Sequence, residues 1–196
     1  MTQADVRIVV VDGEEALALA EQLTHVYRRA FGAPGYDEPE ESVRRFHDEQ
    51  LPKHATRDGF RCAIARSSDQ VIGFGYGYTG QRGQWWSDWV AERAPAEVAQ
   101  RWLGGHFEFV ELAVDPAEQG HGVGTELHDA LLAGLSHEVA LLTTYGDDRA
   151  GVRLYRRKGW QLLVRQLNDD SDLYGLDLRS ASYRKTGVTS GSVDDD

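Results

Sequence analysis

Three glycines alternate in the segment from Gln119 to Gly124, which reads Gln-Gly-His-Gly-Val-Gly. Glycine has no side chain and tolerates positive backbone dihedrals, so this spacing lets backbone N–H groups approach a ligand closely. At the N-terminus of a helix such N–H groups bind anions, and the chemistry predicted for the segment is pyrophosphate binding. A tight turn without a ligand is the alternative. A dinucleotide fingerprint and a P-loop both fit poorly, because the first needs another glycine spacing and the second needs Gly-Lys-Ser/Thr.

The glycine segment lies between a predicted strand and a predicted helix. Apolar and aromatic residues from Phe107 to Val114 predict a strand, which ends before Pro116 because proline cannot donate to a sheet ladder. Leucines at positions 127, 131 and 135 recur at helical spacing and predict a helix with one buried face. The order of strand, glycine loop and helix therefore places the loop at a helix N-terminus.

Together these segments resemble the acetyl-CoA site of the GNAT superfamily of N-acetyltransferases. The family signature is Gln or Arg, two residues, Gly, one residue, then Gly or Ala, and here it follows a strand that ends Leu-Ala-Val-Asp-Pro. The resemblance implies acetyl-CoA as co-substrate, and it implies that main-chain groups of the strand pair with pantetheine like an added strand. The residues that it assigns to this binding are Leu112, Ala113, Val114, Gln119, Gly120, His121, Gly122, Val123, Gly124 and Thr125.

A second resemblance covers residues 148–160, which are similar to the family's Asn-x-x-Ala-x-x-Leu-Tyr-x-x-x-Gly-Phe segment. Tyr155 matches the position that commonly protonates the sulfur of coenzyme A, and a half-buried packing tyrosine is the alternative. The chain departs from the family at Gly151, where Ala is usual, and at Asp148, where Asn is usual. The resemblance assigns Asp148 to the pantetheine arm, although an ionised Asp accepts hydrogen bonds and cannot donate them.

Glu108 and Glu111 are the candidate general bases for acetyl transfer, which requires a neutral amine. A carboxylate beside Phe107 and Phe109 is poorly hydrated, which raises its pKa and suits it to take a proton near neutral pH. Strict alternation along a strand directs the two carboxylates to opposite faces of the sheet, unless a β-bulge intervenes. Glu111 is preferred because it adjoins the Leu-Ala-Val backbone. An ordered water, which some family members use, is the alternative.

The histidines give no sign of a metal site, since their spacing is not that of a ligand set, and no metal is expected. His121 lies in the glycine loop at a position where the family often has Arg. It is expected either to hydrogen-bond a phosphate or to be an ordinary exposed histidine.

Composition narrows the class of protein further. The chain has 196 residues, of which 41% are hydrophobic, and this suits one folded domain. A formal net charge of −11 argues against nucleic acid and anionic membranes as partners and favours a cationic acceptor such as an amine. Cys62 is the single cysteine, which is compatible with a reducing cytoplasm. No apolar run approaches the roughly 20 residues of a membrane span, so a cytoplasmic location is predicted.

The predicted fold class is mixed α/β: a GNAT-like, mostly antiparallel sheet with a central parallel strand pair and flanking helices. Strands are predicted at 6–11, 60–66, 71–78, 107–114, 139–145, 160–167 and 172–178, and helices at 14–31, 39–51, 94–103 and 148–158, besides the helix after the glycine loop. A βαβ crossover should place Val110 and Leu141 on neighbouring parallel strands. One domain is predicted for 1–180, followed by a flexible acidic tail at 181–196.

Two further segments bear on the acceptor. The region 37–49 carries six acidic residues, which predict either a solvated helix face or the entrance for a cationic amine. The region 80–105 holds four tryptophans, which predict a satellite core, an aromatic wall of the acceptor pocket or an oligomer contact such as a homodimer interface.

The function predicted from the sequence is transfer of an acetyl group from acetyl-CoA to a primary amine, with a small polar or cationic molecule as the first choice. The alternatives are a non-catalytic acyl-CoA-binding or regulatory domain and a protein N-acetyltransferase.

Overall fold

A sheet of seven strands runs through the computed structural model, which describes residues 6–146 and 149–179. The strands are β1 (Val6–Val11), β2 (Arg61–Ser67), β3 (Gln70–Gly80), β4 (His106–Val114), β5 (Val139–Tyr145), β6 (Gln161–Val164) and β7 (Ser171–Asp177). Their order across the sheet is β1-β2-β3-β4-β5-β7-β6, and all neighbours are antiparallel except β4 and β5. The predicted fold class and its central parallel pair are confirmed.

Helices cover both faces of this sheet. They are α1 (Gly13–Ala18), α2 (Ala20–Phe31), α3 (Glu40–Arg45), α4 (Leu51–Ala55), α5 (Trp85–Arg93), α6 (Ala96–Trp102), α7 (Val123–Leu132) and α8 (Ala150–Arg157). A π turn (Phe46–Gln50) joins α3 to α4, and a 3₁₀ turn (Pro116–Glu118) follows β4. In the described part of the chain, no helix has the length and apolarity that a membrane crossing requires.

Helix α5 lies in a segment for which no helix was predicted, and the strand predicted at 160–167 ends at Val164, before Gln166 takes a positive φ. Two predicted helices also differ in their course. The helix predicted at 14–31 is divided at Leu19, where the N–H bonds three residues back to the carbonyl of Ala16 and the turn tightens. The helix predicted at 39–51 continues to Ala55 and contains the π turn. The apolar pattern of 14–31 continues across Leu19, so the pattern alone could not reveal that division.

The hydrophobic core is divided by the sheet. On one face α7 packs Leu127 and Leu131 against Phe107 and Phe109 of β4. On the other face the core is formed by α2, the π turn and the aromatic side of β3, with Leu23, Phe46, Phe74 and Tyr76 at its centre. Both faces of β4 are thus covered, which fixes the strand that carries the candidate catalytic carboxylates.

The tryptophan-rich region forms α5, α6 and a satellite core. Trp102 is buried with Val90, Leu141 and Leu173, whereas Trp85 is 70% exposed. This packing agrees with the satellite-core interpretation of the segment. The predicted tail at 181–196 lies outside the described residues, and the domain bounds and the homodimer remain predictions.

Candidate active site

A cavity of about 910 Å³ lies beside the parallel strand pair. The backbones of β4 and β5 pair at Phe107 with Ala140 and at Glu108 with Leu141, before the cavity begins. Beyond these pairs, residues 110–112 of β4 and 143–145 of β5 line the cavity instead. A volume of this size suits a small organic ligand. The parallel pair therefore opens into a cleft with strand backbone along its walls.

The glycine loop forms one end of the cleft. Gly120 and Gly122 have φ angles of 82° and 90°, and both line the cavity. A Cβ at either position would meet no atom within 4 Å, so the missing side chains leave open space. Gly122 directly precedes α7, whose first-turn N–H groups point toward that end. The loop has the conformation and the donors of an anion cradle.

Three arginines, two in α8 and one directly before it, line the same cavity as the glycine loop. Arg149, Arg153 and Arg157 are spaced by four residues, and all three line the cavity. The guanidinium of Arg149 lies 4.0 Å from the ring centroid of Tyr145 and 4.7 Å from that of Tyr36, which holds it at the rim of the cleft. The cavity that holds the loop donors thus also carries positive charge along its lining, and this combination favours a ligand with several negative charges.

The remaining predicted binding residues are divided between the cavity and the core. Those that line the cavity are Leu112, Val114, Gln119, Gly120, Gly122, Gly124 and Thr125. The amide of Gln119 also donates to the carbonyl of Val114 at 3.0 Å, so it ties the loop to the end of β4. Ala113 and Val123 are 1% and 3% exposed and pack in the cores, while the side chain of His121 is exposed. Asp148 lies outside the described residues.

A β-bulge in β4 decides where the two candidate bases point. Tyr76 of β3 pairs with Glu111 but the next residue, Gly77, pairs with Phe109, so Val110 is the extra residue. The bulge reverses the alternation, and both carboxylates lie on the α2 face of the sheet. The sequence predicted that the two carboxylates lie on opposite faces unless a bulge intervenes, and the structure has that bulge.

The two carboxylates have different surroundings. Glu108 is 4% exposed, and its Oε1 accepts a hydrogen bond from the Tyr78 hydroxyl at 2.7 Å. Its Oε2 has no hydrogen-bond partner among the described residues, and Glu108 does not line the cavity. Glu111 does line the cavity, and its Oε1 accepts a hydrogen bond from the amide of Gln50 at 2.9 Å. Of the two, Glu111 alone has access to a bound ligand.

Burial shifts the acidity of these groups. It raises the pKa of Glu111 to about 7, an effect that the Gln50 hydrogen bond opposes and the charge of Glu38 reinforces. It raises the pKa of Glu108 to about 7 as well, against the hydrogen bond from Tyr78. A carboxylate with a pKa near neutrality can take a proton from a bound amine and release it again.

Tyr155 lies on α8 with its ring against Phe109 and Trp160, at centroid distances of 5.9 and 5.7 Å. It is 8% exposed and lines the cavity. Burial, together with the charge of Glu111, raises its pKa above the ordinary value, so the hydroxyl keeps its proton at neutral pH. A protonated phenol in the cleft is suited to donate that proton to a leaving group.

One wall of the cleft is aromatic and acidic, and Arg149 stacks on two of its tyrosines, Tyr36 and Tyr145. Glu38 lines it and accepts a hydrogen bond from the Tyr145 hydroxyl at 3.2 Å. Tyr27, Phe31 and Tyr36 complete this wall. Other acidic residues of the region 37–49 are engaged elsewhere, since Glu40 pairs with Arg28 at 2.8 Å and Asp48 lies 2.7 Å from His47. The acidic region thus contributes Glu38 to the cleft.

Sequence reasoning missed several residues of the cleft. The arginines at 149, 153 and 157 could have been found from their spacing of four, which forms a stripe along a helix. Tyr27 and Tyr145 carry no such signal, because each reaches the cleft from an element distant in sequence from the loop. Gln50, which contacts Glu111 without lining the cavity, carries none either. Within the described residues, no cluster of three or more metal-ligating side chains occurs.

The residues present fit coenzyme A. The open space at Gly120 and Gly122 admits a pyrophosphate to backbone donors, and the arginines of α8 complement further phosphate charge. The β4 backbone beyond Glu108 borders the cavity, where an extended pantetheine arm can pair with it.

Comparisons with known proteins agree with this geometry. The profile of the Acetyltransferase (GNAT) family matches residues 20–160. A GCN5-like protein acetyltransferase of Mycobacterium tuberculosis is 33% identical over 161 residues, which are 78% of this chain and 75% of that protein.

Solved structures share the fold at low identity. A Pyrococcus horikoshii protein superposes with a TM-score of 0.62 at 17% identity, over 88% of this chain and 98% of that one. A Brucella melitensis GNAT acetyltransferase in complex with acetyl-CoA superposes with a TM-score of 0.56 at 18% identity, over 89% of each chain. The PaiA N-acetyltransferase of Thermoplasma acidophilum, in complex with coenzyme A, gives 0.55 at 12% identity over 88% and 99%. The chain belongs to the GNAT family of acetyltransferases, with acetyl-CoA as its co-substrate.

Proposed function

We propose that this protein transfers the acetyl group of acetyl-CoA to a primary amine, with Glu111 as the general base and Tyr155 as the general acid. The observation that carries the proposal is the presence of both side chains on one cavity with the glycine loop. Glu108 is proposed to have no direct catalytic role, because it does not border that cavity.

The glycine loop and the arginines of α8 bind the phosphates, and the backbone of 112–114 orients the extended arm between β4 and β5. When bound, acetyl-CoA supplies a thioester whose carbonyl carbon is attacked by the amine. This positioning makes a bimolecular reaction effectively unimolecular, which lowers the entropic part of the activation barrier.

Glu111 accepts a proton from the amine nitrogen as the new C–N bond forms. It must be ionised to do so, and with a pKa of about 7 it is protonated progressively as the pH falls through that value. The rate should therefore fall on the acid side of neutrality. Tyr155 supplies a proton to the sulfur that leaves, and its raised pKa keeps that proton available across the same range.

The proposed acceptor is a small polar or cationic amine. Support comes from Glu38 and from the rings of Tyr27 and Phe31 in the cavity lining, since a carboxylate and π faces both attract an ammonium group. Tyr36 and Tyr145 already stack with Arg149. The net charge of −11 favours encounter with cations over a longer range. We also propose a cytoplasmic location, because it is compatible with acetyl-CoA as co-substrate and with Cys62 as a reduced thiol.

A protein amine is the second candidate acceptor. The observation that favours it is the 33% identity to a relative described as a protein acetyltransferase. A lysine side chain presents the same primary amine on a flexible stem, so the reacting groups would be unchanged and only the surroundings of the cleft mouth would differ.

The test is release of free coenzyme A, followed with a thiol reagent, in the presence of a panel of polyamines, aminoglycoside-like amines and lysine-containing peptides. Amine-dependent release that Glu111→Gln abolishes would support the proposal. Release with peptides alone would support the protein acceptor. A thermal shift with acetyl-CoA but no release with any amine would support a non-catalytic acyl-CoA-binding domain and overturn the proposal.

A further inference from the structure

Gln50 connects the candidate base to the interior of the protein. Its side-chain amide nitrogen lies 2.9 Å from Oε1 of Glu111 and 3.0 Å from the hydroxyl oxygen of Tyr76. A primary amide has two N–H bonds, so one can serve each acceptor. Gln50 is thereby held at two points, and the orientation of the Glu111 carboxylate depends on it.

The contact network continues from Tyr76 to α4. The Tyr76 hydroxyl lies 3.0 Å from Nδ1 of His54, and Tyr76 is fully buried. Burial lowers the pKa of His54 to about 4, so the imidazole is neutral when the enzyme works near neutral pH. A neutral ring has one acceptor nitrogen, and Tyr76, which receives an N–H from Gln50, can donate its own proton there. Each contact in the series from Glu111 to His54 then has one donor and one acceptor.

The π turn places Gln50 at the sheet. In this turn the N–H of Leu51 bonds to the carbonyl of Phe46, five residues back. Phe46 and Leu51 are both fully buried, which five-residue spacing allows in a π turn and disfavours in a regular α-helix. Gln50 directly precedes Leu51 and is held between these two anchors. π turns within helices occur frequently at functional sites, and this one brings a side chain into contact with the candidate base.

We infer that Gln50 is a positioning residue for catalysis, which fixes the Glu111 carboxylate for proton abstraction through a hydrogen bond set by the π turn and by Tyr76. The inference rests on the proposed role of Glu111 as base. Because an amide is neutral, it orients the carboxylate while suppressing its basicity less than the positive charge of an arginine or lysine would.

Other groups also act on Glu111, and a variant that tests Gln50 must leave them unchanged. Tyr27 of α2, Tyr76 of β3, Tyr155 of α8 and Glu38 of the α2–α3 connection all interact electrostatically with it. Among the residues named, Gln50 supplies the hydrogen bond that favours the ionised form. Loss of Gln50 should therefore shift the titration of Glu111 to higher pH and leave the carboxylate free to rotate.

The test uses Gln50→Met, which fills the same space with an unbranched side chain but has no N–H donor. We expect kcat/KM for the amine to fall about tenfold to 100-fold at neutral pH, because a misplaced catalytic group costs that much. The KM for acetyl-CoA should stay within about twofold, and the acidic limb of the pH profile should move to higher pH. Gln22→Leu, at an exposed glutamine of α2, is the matched control and should change none of these quantities.

Two further measurements separate positioning from structural support. Tyr76→Phe keeps the ring but removes the second anchor of Gln50, so it should also lower kcat/KM. In the double variant with Gln50→Met, the loss should be smaller than the sum of the two single losses. Thermal unfolding of each variant shows whether the fold is retained. A Gln50→Met enzyme that is folded and keeps both the rate and the acidic limb of the wild type would overturn the inference.

The titration of Glu111 can also be followed without turnover, by carbon-13 labelling of the glutamate carboxyls, with Glu111→Gln identifying the resonance. A higher midpoint in Gln50→Met than in wild type would support the hydrogen bond, and an unchanged midpoint would overturn it. If the wild type acetylates no amine, the proposed function fails, whereas the titration still decides whether Gln50 holds the carboxylate.

Discussion

Glu108 offers a sharp test of how burial acts on a carboxylate that the proposed reaction does not use. Its side chain is 4% exposed, one oxygen accepts from Tyr78, and the other has no hydrogen-bond partner among the described residues. Burial raises its pKa from the ordinary 4.5 to about 7. Since a tenfold change in an ionisation equilibrium is worth about 1.4 kcal/mol, this rise corresponds to about 3 kcal/mol.

The sign of the effect follows from which state of the protein, folded or unfolded, loses the Glu108 proton at the lower pH. Between the ordinary pKa and the raised one, the unfolded chain has released the proton of Glu108 and the folded chain still holds it. The free energy of unfolding therefore falls as the pH rises through this interval and is constant above it with respect to this group. Glu108→Gln keeps the shape of the side chain and an acceptor for Tyr78 but cannot ionise. Relative to wild type, the variant should gain about 3 kcal/mol of stability between about pH 4 and pH 8.

The assay is urea unfolding of wild type and Glu108→Gln at several pH values across that interval. Glu92→Gln is the control, because Glu92 has a side chain that is 74% exposed, and it should differ from wild type by less than about 0.5 kcal/mol throughout. A stability difference between Glu108→Gln and wild type that does not change with pH would refute the reasoning. The same variant should keep the acidic limb of kcat/KM, and loss of that limb in Glu108→Gln rather than Glu111→Gln would refute the assignment of the base.

Three further outcomes are expected. Tyr155→Phe should lower kcat about 100-fold with little change in the KM for acetyl-CoA, since the proton donor is lost and the packing is kept; steady-state kinetics with an unchanged kcat would contradict this role. Gly122→Ala should weaken coenzyme A binding in calorimetric titrations, because a φ of 90° strains an L-residue by roughly 1–2 kcal/mol and the new Cβ enters the space that the ligand needs. An unchanged affinity would argue against the loop as the phosphate site. Leu127→Ala, at a fully buried position of α7, should lower the free energy of unfolding by about 2–5 kcal/mol in urea, and a smaller loss would mean that this core refills readily.

The fold was largely predictable where local patterns are strong. The strands at 6–11 and 139–145 have the bounds that their β-branched runs predict, and the parallel pairing of β4 with β5 follows from the intervening helix. The division at Leu19 was not predictable, since the apolar stripe continues across it, and the π turn before Leu51 was missed.

The sequence by itself determined the cofactor end of the site. Glycine at 120 and 122 permits the positive φ angles found there and leaves the backbone free of side chains, and these are properties of the segment alone. Tyr155 likewise follows from its place in a local pattern.

The tertiary structure decided which of the two carboxylates borders the cavity. Strand alternation predicts only that successive side chains point to opposite faces of the sheet. The face on which Glu111 lies depends on the pairing of β3 with β4, and the bulge at Val110 arises in that pairing between segments about 30 residues apart. It turns Glu111 toward the cleft and toward Gln50, which reaches it from a helical turn 61 residues earlier. A contact between segments that are distant in sequence depends on how the layers pack, and no local pattern encodes it.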